Sequence, residues 1–380
     1  MAKRILLVGG GTGGHVFPLV AVAESLLDQK RMFGFEVEML MMGSGGLIKK
    51  EAAVLNIKCR RLLSTKWRRY FSLANFLDLL KTPIAFIQSL FWVWLFMPDI
   101  IFAKGGFGSL WPLVAARILF IPYVIHESDA VPGAVNSFFS AGAKKIFLAY
   151  DIARNFFPNK EVHVVGVPMK GVMKKIVENP PNRIEALNAF GFKKDLPVVL
   201  ISGGSQGAAP LNEVILLALI ELTQKFQVIH QTGEVSFSNT KKGVEQIISE
   251  QKNGLGQIIS QNYSIVSFLD SAQLVLAYLA ADVIVCRSGS QIFEIAALGK
   301  PTIVVPLPNA SRDHQMANAK EFAKYGAILI EQPNLTPHIL MNQIDEAYQN
   351  RETLSSKIKN FTPLNAADII AKYLIREEII

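Results

Sequence analysis

Residues 5–15 read Ile5-Leu6-Leu7-Val8-Gly9-Gly10-Gly11-Thr12-Gly13-Gly14-His15. A short apolar run that ends in a cluster of glycines and is followed by Leu19-Val20-Ala21-Val22-Ala23 predicts a buried strand, a tight loop and a helix from about Pro18 to Lys30. Glycine lets a backbone approach a ligand with its N–H groups exposed. The helix that follows carries partial positive charge at its N-terminus. The loop therefore reads as an anion cradle, with His15 beside the anion. Strand, glycine loop and helix in this order are the first step of a doubly wound α/β fold.

Two other readings of the loop stay open. Gly9-x-Gly11-x-x-Gly14 fits the dinucleotide fingerprint, but that motif wants an acid closing the second strand, and Met39–Ser44 supplies none. A plain tight turn would need fewer glycines. For His15, the positive helix end disfavours an imidazolium, and a neutral ring suits a general base. The plainer alternative is a histidine that only caps the helix.

The same alternation runs along the chain. Strand-like runs recur at 35–42 (FEVEMLMM), 98–106 (PDIIFAKGG), 121–128 (IPYVIHES) and 144–150 (KKIFLAY), with helical patterns between them. Residues 162–187, with Gly166, Pro168 and Pro180-Pro181, read as a connection between domains. The plan then restarts with LPVVLISGG (196–204), followed by FQVIHQTG, ADVIVCRSG, KPTIVVPLP and GAILIE. Two Rossmann-like domains facing a cleft are expected, over 1–165 and 166–360, with a last helix over 361–380 returning to the first. The 380 residues suffice for two or three domains.

Further chemistry sits on the loops. Lys104-Gly105-Gly106-Phe107-Gly108-Ser109 belongs to the first half; Ser202–Gly207, with Ser205 and Gln206, and Cys286–Ser290 open helices in the second. Glu294 can accept both hydroxyls of a ribose, although a solvated helix glutamate is the commoner case. With Gln315 these features point to a nucleoside diphosphate. The chain has no Asp-x-Asp for a metal-bridged diphosphate, and its six histidines and two cysteines form no metal-ligand spacing. No metal and no cofactor are expected, so helix N-termini must neutralise a leaving diphosphate.

Half the residues are hydrophobic and 18% are charged, which excludes a disordered chain. Two distant cysteines, Cys59 and Cys286, fit a reducing compartment, and the opening lacks a signal-peptide pattern. The net charge of +8 suits phosphorylated substrates or anionic lipid; no basic stripe or nucleic-acid motif accompanies it, so nucleic acid is not expected. All four tryptophans fall between 67 and 111. The cluster Lys66-Trp67-Arg68-Arg69-Tyr70 precedes IAFIQSLFWVWLFM (84–97), a run too short to span a bilayer, which needs ~20 apolar residues. It is either a buried helix or a monotopic contact with an anionic leaflet.

Taken together, GGGTGGHVFP (9–18), KGGFGS (104–109), HES…PG (126–133), GxP (166–168), GGSQGA (203–208), HQTG (230–233), CRSG…EIAALGKP (286–301) and DHQMANA (313–319) resemble glycosyltransferase family 28, the lipid I N-acetylglucosaminyltransferases of peptidoglycan synthesis. The resemblance runs almost end to end. It implies an inverting, metal-independent enzyme of the B-type fold. The donor would be UDP-N-acetylglucosamine. The acceptor would be the 4-hydroxyl of the muramoyl group of lipid I, an undecaprenyl-diphosphate-linked muramoyl peptide. His15 is the implied base. Thr12, Gly13 and Gly14 would meet the donor sugar or the acceptor diphosphate. Lys170, Ser205, Gln206, Leu269, Ser290, Gln291, Glu294 and Gln315 are the implied donor-side residues. Gly105, Gly106, His126, Glu127 and Asp129 are the acceptor side. Lys66, Trp67, Arg68, Arg69, Phe91, Trp92 and Trp94 are the implied contact with the anionic inner leaflet, giving a peripheral protein on the cytoplasmic face. This chain departs from the family pattern at Asp129 and Val167, where Asn is usual, at Lys170, where Arg is usual, and in a segment between Arg287 and Glu294 that is one residue shorter. The rival readings are a UDP-sugar 2-epimerase, another lipid glycosyltransferase and a non-catalytic UDP-sugar-binding scaffold.

Overall fold

A computed structural model describes residues 2–63, 73–193, 195–204, 207–251, 254–308 and 310–376, with the side chains of 73–80 and 311 left aside. The chain forms two compact units, one up to Lys174 together with the stretch from Pro363 onward, the other Lys175–Thr362. The division falls later than the 165/166 boundary expected above.

The first unit alternates β1 (Lys3–Gly10), α1 (Gly13–Phe33), β2 (Val37–Ser44), α2 (Leu47–Val54), β3 (Lys58–Leu62), α3 (Leu73–Phe96), β4 (Ile100–Ala103), α4 (Phe107–Ile118), β5 (Tyr123–Glu127), α5 (Ala134–Phe139), β6 (Lys145–Leu148) and β7 (Val162–Val164). All strand pairs are parallel, in the order β3-β2-β1-β4-β5-β6-β7. Strand β1 is buried on both faces. Ile5 and Leu7 join one core cluster and Leu6 and Val8 the other, which is why the strand reads as an unbroken apolar run.

Helix α6 (Gly171–Glu178) carries the chain across the boundary to α7 (Arg183–Asn188). The second unit then holds β8 (Val198–Ser202), α8 (Ala209–Lys225), β9 (Gln227–Gln231), α9 (Glu234–Glu250), α10 (Leu255–Asn262), β10 (Tyr263–Val266), α11 (Ser271–Ala280), β11 (Val283–Cys286), α12 (Gln291–Ala297), β12 (Thr302–Val304), α13 (His314–Ala323), β13 (Ile328–Leu329), α14 (Pro337–Gln349) and α15 (Arg351–Ile358). Its parallel sheet runs β10-β9-β8-β11-β12-β13. The last helix, α16 (Ala366–Arg376), packs on α1: Ile370, Ala371, Tyr373 and Leu374 share a core cluster with Leu19, Val22 and Leu26. Ser25 also donates to Asp368 at 2.7 Å.

Three sequence expectations need correction. Helix α1 begins at Gly13, five residues before Pro18, because the glycine loop winds directly into it. Pro18 therefore lies inside the helix, where it removes the bond its N–H would make to the Gly14 carbonyl and its ring crowds that carbonyl. The stretch 162–187 is more than a connection: it contributes edge strand β7 and two short helices. The apolar run ending at Met97 starts its helix at Leu73.

Candidate active site

In each sheet the strand order reverses between the first and fourth strands, and ligands of doubly wound folds bind beyond the strand ends at such switch points. In the first unit that places the loop after β1 beside the loop after β4. The two lie in close contact. A Cβ at Gly108, in the first turn of α4, would stand 2.5 Å from the Gly9 carbonyl oxygen in β1. No side chain fits there.

His15, half-buried, is the third residue of α1. Gly106 rests against its ring: a Cβ at Gly106 would lie 3.0 Å from His15 Nε2, and its φ of +72° already disfavours a side chain. Thr12, Gly13 and Gly14 line the turn that leads to His15, with Thr12 exposed.

The loop after β5 completes this group. Glu127 is buried and accepts from the Asp129 N–H (3.0 Å), the Gly133 N–H (3.0 Å) and Asn136 Nδ2 (2.8 Å). Burial, then the neighbouring Asp129 charge, push its carboxyl pKa up, against the pull of Lys104 and these donors. His126 Nε2 lies 2.9 Å from the Gly166 carbonyl, and burial holds its imidazole neutral by pushing the pKa well down. Asn136, from α5, also donates to the His126 carbonyl at 3.2 Å. Lys104, fully buried, donates to Ser128 Oγ at 2.6 Å. Sequence reasoning did not single out Asn136, and it named Lys104 only as the first residue of the glycine loop 104–109, without a role. The only signal was a lysine closing the apolar strand Ile100–Ala103.

In the second unit the switch point lies between β8 and β11. Ser202 Oγ donates to Gln231 Oε1 at 3.0 Å, closing the end of β8 against β9. Ser205 and Gln206 lie outside the described residues. After β11, the Arg287 guanidinium is spent on structure, donating to the carbonyls of Val305 (2.9 Å) and Pro306 (3.2 Å) and to Gln332 Oε1 (2.8 Å). Ser288 Oγ donates to the Gln315 carbonyl at 2.6 Å, which ties this loop to the start of α13. Ser290 precedes α12 without a side-chain capping bond and Gln291 opens the helix, while Glu294 sits half-buried one turn further. The Tyr278 hydroxyl faces Glu294; burial first, then that carboxylate, push its pKa well up. Gln315 Oε1 accepts the Leu307 N–H at 2.9 Å. Arg312 and Asp313, just before it, both hold left-handed backbone (φ 57° and 54°), strain of the kind kept at functional turns. Leu269 is buried between β10 and α11.

Lys170 belongs to the first unit. It pairs with Glu51 at 2.8 Å and lies 4.4 Å from the Phe17 ring centre. The ion pair takes one of the three N–H donors of the ammonium that the sequence reading places on the donor side.

Residues 198–373 match the glycosyltransferase family 28 C-terminal domain, and residues 5–148 match the family 28 N-terminal domain. A relative from Legionella pneumophila (strain Paris), named UDP-N-acetylglucosamine–N-acetylmuramyl-(pentapeptide) pyrophosphoryl-undecaprenol N-acetylglucosamine transferase, is 32% identical over all of this chain and 98% of its own length. The chain belongs to glycosyltransferase family 28. The crystal structure of MurG from Acinetobacter baumannii, 29% identical, superposes with a TM-score of 0.69 over 99% of this chain and 100% of its own. A UDP-N-acetylglucosamine 2-epimerase structure from Listeria monocytogenes, described as putative, reaches 0.72 at 13% identity over 100% of this chain and 98% of its own, and shares the fold alone.

This family 28 chain carries one more feature beside the loops. Helix α3 presents Ile84, Ile87, Phe91, Trp94 and Leu95 to solvent, at spacings that put them on one face. Ile87, Leu90, Phe91 and Trp94 line an apolar groove of about 360 Å³ with Ile118 and Leu119 at the end of α4. Trp92 turns inward, partly buried, with the Arg60 guanidinium 4.1 Å over its ring. Arg60, Arg61 and Lys58 are exposed along β3. Lys66, Trp67, Arg68 and Arg69 lie outside the described residues. No helix among the described residues is long and apolar enough to cross a membrane, and no cluster of three metal-ligating side chains occurs among them.

Proposed function

We propose that this chain transfers N-acetylglucosamine from UDP-N-acetylglucosamine to the 4-hydroxyl of the muramoyl group of lipid I, with inversion, forming lipid II. The family and the names of its full-length relatives support the reaction class. The observation that carries the roles is the placement of His15 between two glycine loops, against Gly106 and at the first turn of α1.

In this reading the acceptor diphosphate lies on the backbone N–H groups of Thr12–Gly14. The acceptor O4–H gives its proton to the His15 imidazole as O4 bonds to the anomeric carbon. The bond from that carbon to UDP breaks on the opposite side, its electron pair passing to the diphosphate oxygen. Backbone amides of the loops before α8 and α12, with Ser205 and Gln206, take up that charge. Glu294 binds the ribose hydroxyls, and Ser290, Gln291 and Gln315 face the uridine and sugar. Gly105, His126, Glu127 and Asp129 shape the acceptor side. The exposed face of α3, with the cations of β3, docks the protein peripherally on the anionic cytoplasmic leaflet.

The test is UDP release from UDP-N-acetylglucosamine with a short-chain lipid I analogue, in the presence of a chelator. Release that requires the acceptor and ignores the chelator is expected. Release without acceptor would make the chain an epimerase or hydrolase instead.

A further inference from the structure

We propose that Lys104 is a positioning residue for the acceptor, a buried ammonium that offsets the carboxylates of Glu127 and Asp129 and so lets the loop after β5 receive an anionic head group. The proposal rests on the transferase reading above and adds to it a residue and a charge balance.

Lys104 follows β4 and lies at the ends of three strands at once. Its N–H donates to the Val8 carbonyl of β1 at 2.9 Å, and its Nζ donates to Ser128 Oγ, just past β5, at 2.6 Å. A Cβ at Gly9 would lie 3.3 Å from Lys104 Cβ, and the residues that follow Lys104 are Gly105, packed against Asn136, and Gly106, packed against the His15 ring. One cation therefore underlies both glycine loops and the Ser128–Asp129 turn.

A lysine only 1% exposed is rare and costly unless its charge is compensated. Burial pulls the Lys104 pKa down, and the charged groups facing it, Glu127 and then Asp129, act against that pull in favour of the protonated form. The remaining titratable neighbour, His126, is held neutral by burial and by Lys104 itself. The hydrogen bond of the ammonium goes to a serine, so its charge acts on the carboxylates through space. Without Lys104, a site meant for a diphosphate would confront it with two carboxylates, and like charges in a partly buried site repel strongly. Asp129 is also where the family pattern has an uncharged asparagine. This chain has one more negative charge at that position, and Lys104 is the counter-charge.

Steady-state kinetics with a diphosphate-linked acceptor test the pairing. Lys104→Met is expected to raise the acceptor KM by ~10-fold or more while the donor KM stays within about 2-fold, since the repulsion acts on the acceptor anion alone. Adding Asp129→Asn to that variant is expected to restore most of the acceptor KM. A Lys104→Met protein that melts like the parent and keeps its acceptor KM overturns the proposal. So does a loss in kcat and melting temperature, with both KM values unmoved, that Asp129→Asn does not repair: Lys104 would then be structural. Should Lys104→Met fail to fold, Asp129→Asn alone decides. This near-isosteric change at a half-buried position should lower the acceptor KM, and an unchanged value overturns the charge balance. If the unmodified protein releases UDP without acceptor, the transferase reading fails, and it does so separately from Lys104.

Discussion

His15 has a bland role and a sharp one, and Gly106 separates them. A histidine that only capped α1 would need no glycine loop from another strand against its ring, yet Gly106 approaches so closely that a Cβ would stand 3.0 Å from Nε2. If the ring accepts the acceptor proton, His15→Ala should lower kcat by ~10²–10⁴-fold with UDP-N-acetylglucosamine affinity unchanged, because the proton moves only in the transition state. Near-normal turnover, measured as acceptor-dependent UDP release, would remove His15 from the reaction. At this scale the sequence is legible wherever the chemistry is local: the loops at 9–14 and 104–109 announce themselves through consecutive glycines. It is illegible wherever the partners are distant. Asn136 holds Glu127 from nine residues away and Lys104 reaches Ser128 across a strand pair, so neither has a local signature. Lys170 is a mixed case, since a motif position nominates it for the donor while its ion pair with Glu51 and its contact with Phe17, both far off in sequence, have no local signature.

Strands show why some elements can be read from sequence and others cannot. The inner strands β1, β4, β8 and β11 are covered on both faces and appear as IILV-type runs. The strands missed or read as linker, β3, β7 and β10, are three of the four outermost strands of their sheets. Half-covered edges tolerate polar residues, as Lys58-Cys59-Arg60-Arg61-Leu62 demonstrates. Helix α3 presents the opposite problem. Its composition fits a buried helix or a membrane contact equally well, and only the fold separates the faces. Ala85, Ser89 and Val93 turn inward, while Ile87 and Trp94 remain 62% and 58% exposed. Buried apolar surface stabilises by ~25 cal/mol per Å², so this face gains nothing in water and gains on entering a leaflet. Ile87→Ser with Trp94→Ser is expected to weaken binding to anionic vesicles by at least ~10-fold. The same pair should shift stability by no more than about 0.5 kcal/mol per site and leave turnover of a water-soluble acceptor intact. Co-sedimentation with vesicles checks it, and unchanged sedimentation would place the membrane contact elsewhere.

Across the whole molecule, each unit has its own core and its own buried histidine, His126 in the first and His230 in the second. The hydrogen bonds fix the tautomer of His230. Asn212 donates its Nδ2 to the Thr232 carbonyl at 3.1 Å, so its Oδ1 faces His230 Nε2, 3.0 Å away, as an acceptor. Nε2 must then carry the proton, and Nδ1 accepts from the Tyr263 hydroxyl at 2.5 Å. The ring has no place for a second proton, and burial lowers its pKa to about 3. In the unfolded chain the same imidazole titrates at ~6.5. Between those values the unfolded state binds a proton that the folded state refuses. The stability His230 contributes is therefore fully present above ~6.5 and is lost as pH falls from there toward about 3, by ~1.4 kcal/mol per pH unit. All four tryptophans fall at 67–111, so tryptophan emission follows the first unit alone. In that unit Glu127, whose pKa is raised, opposes the histidine term. The clean measurement is hydrogen exchange of the β8 and β9 amides at about pH 7.5 and about pH 5.5, corrected for intrinsic rates. Their opening free energy should fall by on the order of 1 kcal/mol across that interval. A flat profile would mean that His230 takes up its proton without leaving the fold, and that the Tyr263–His230–Asn212 chain is not what holds β9 between α8 and β10.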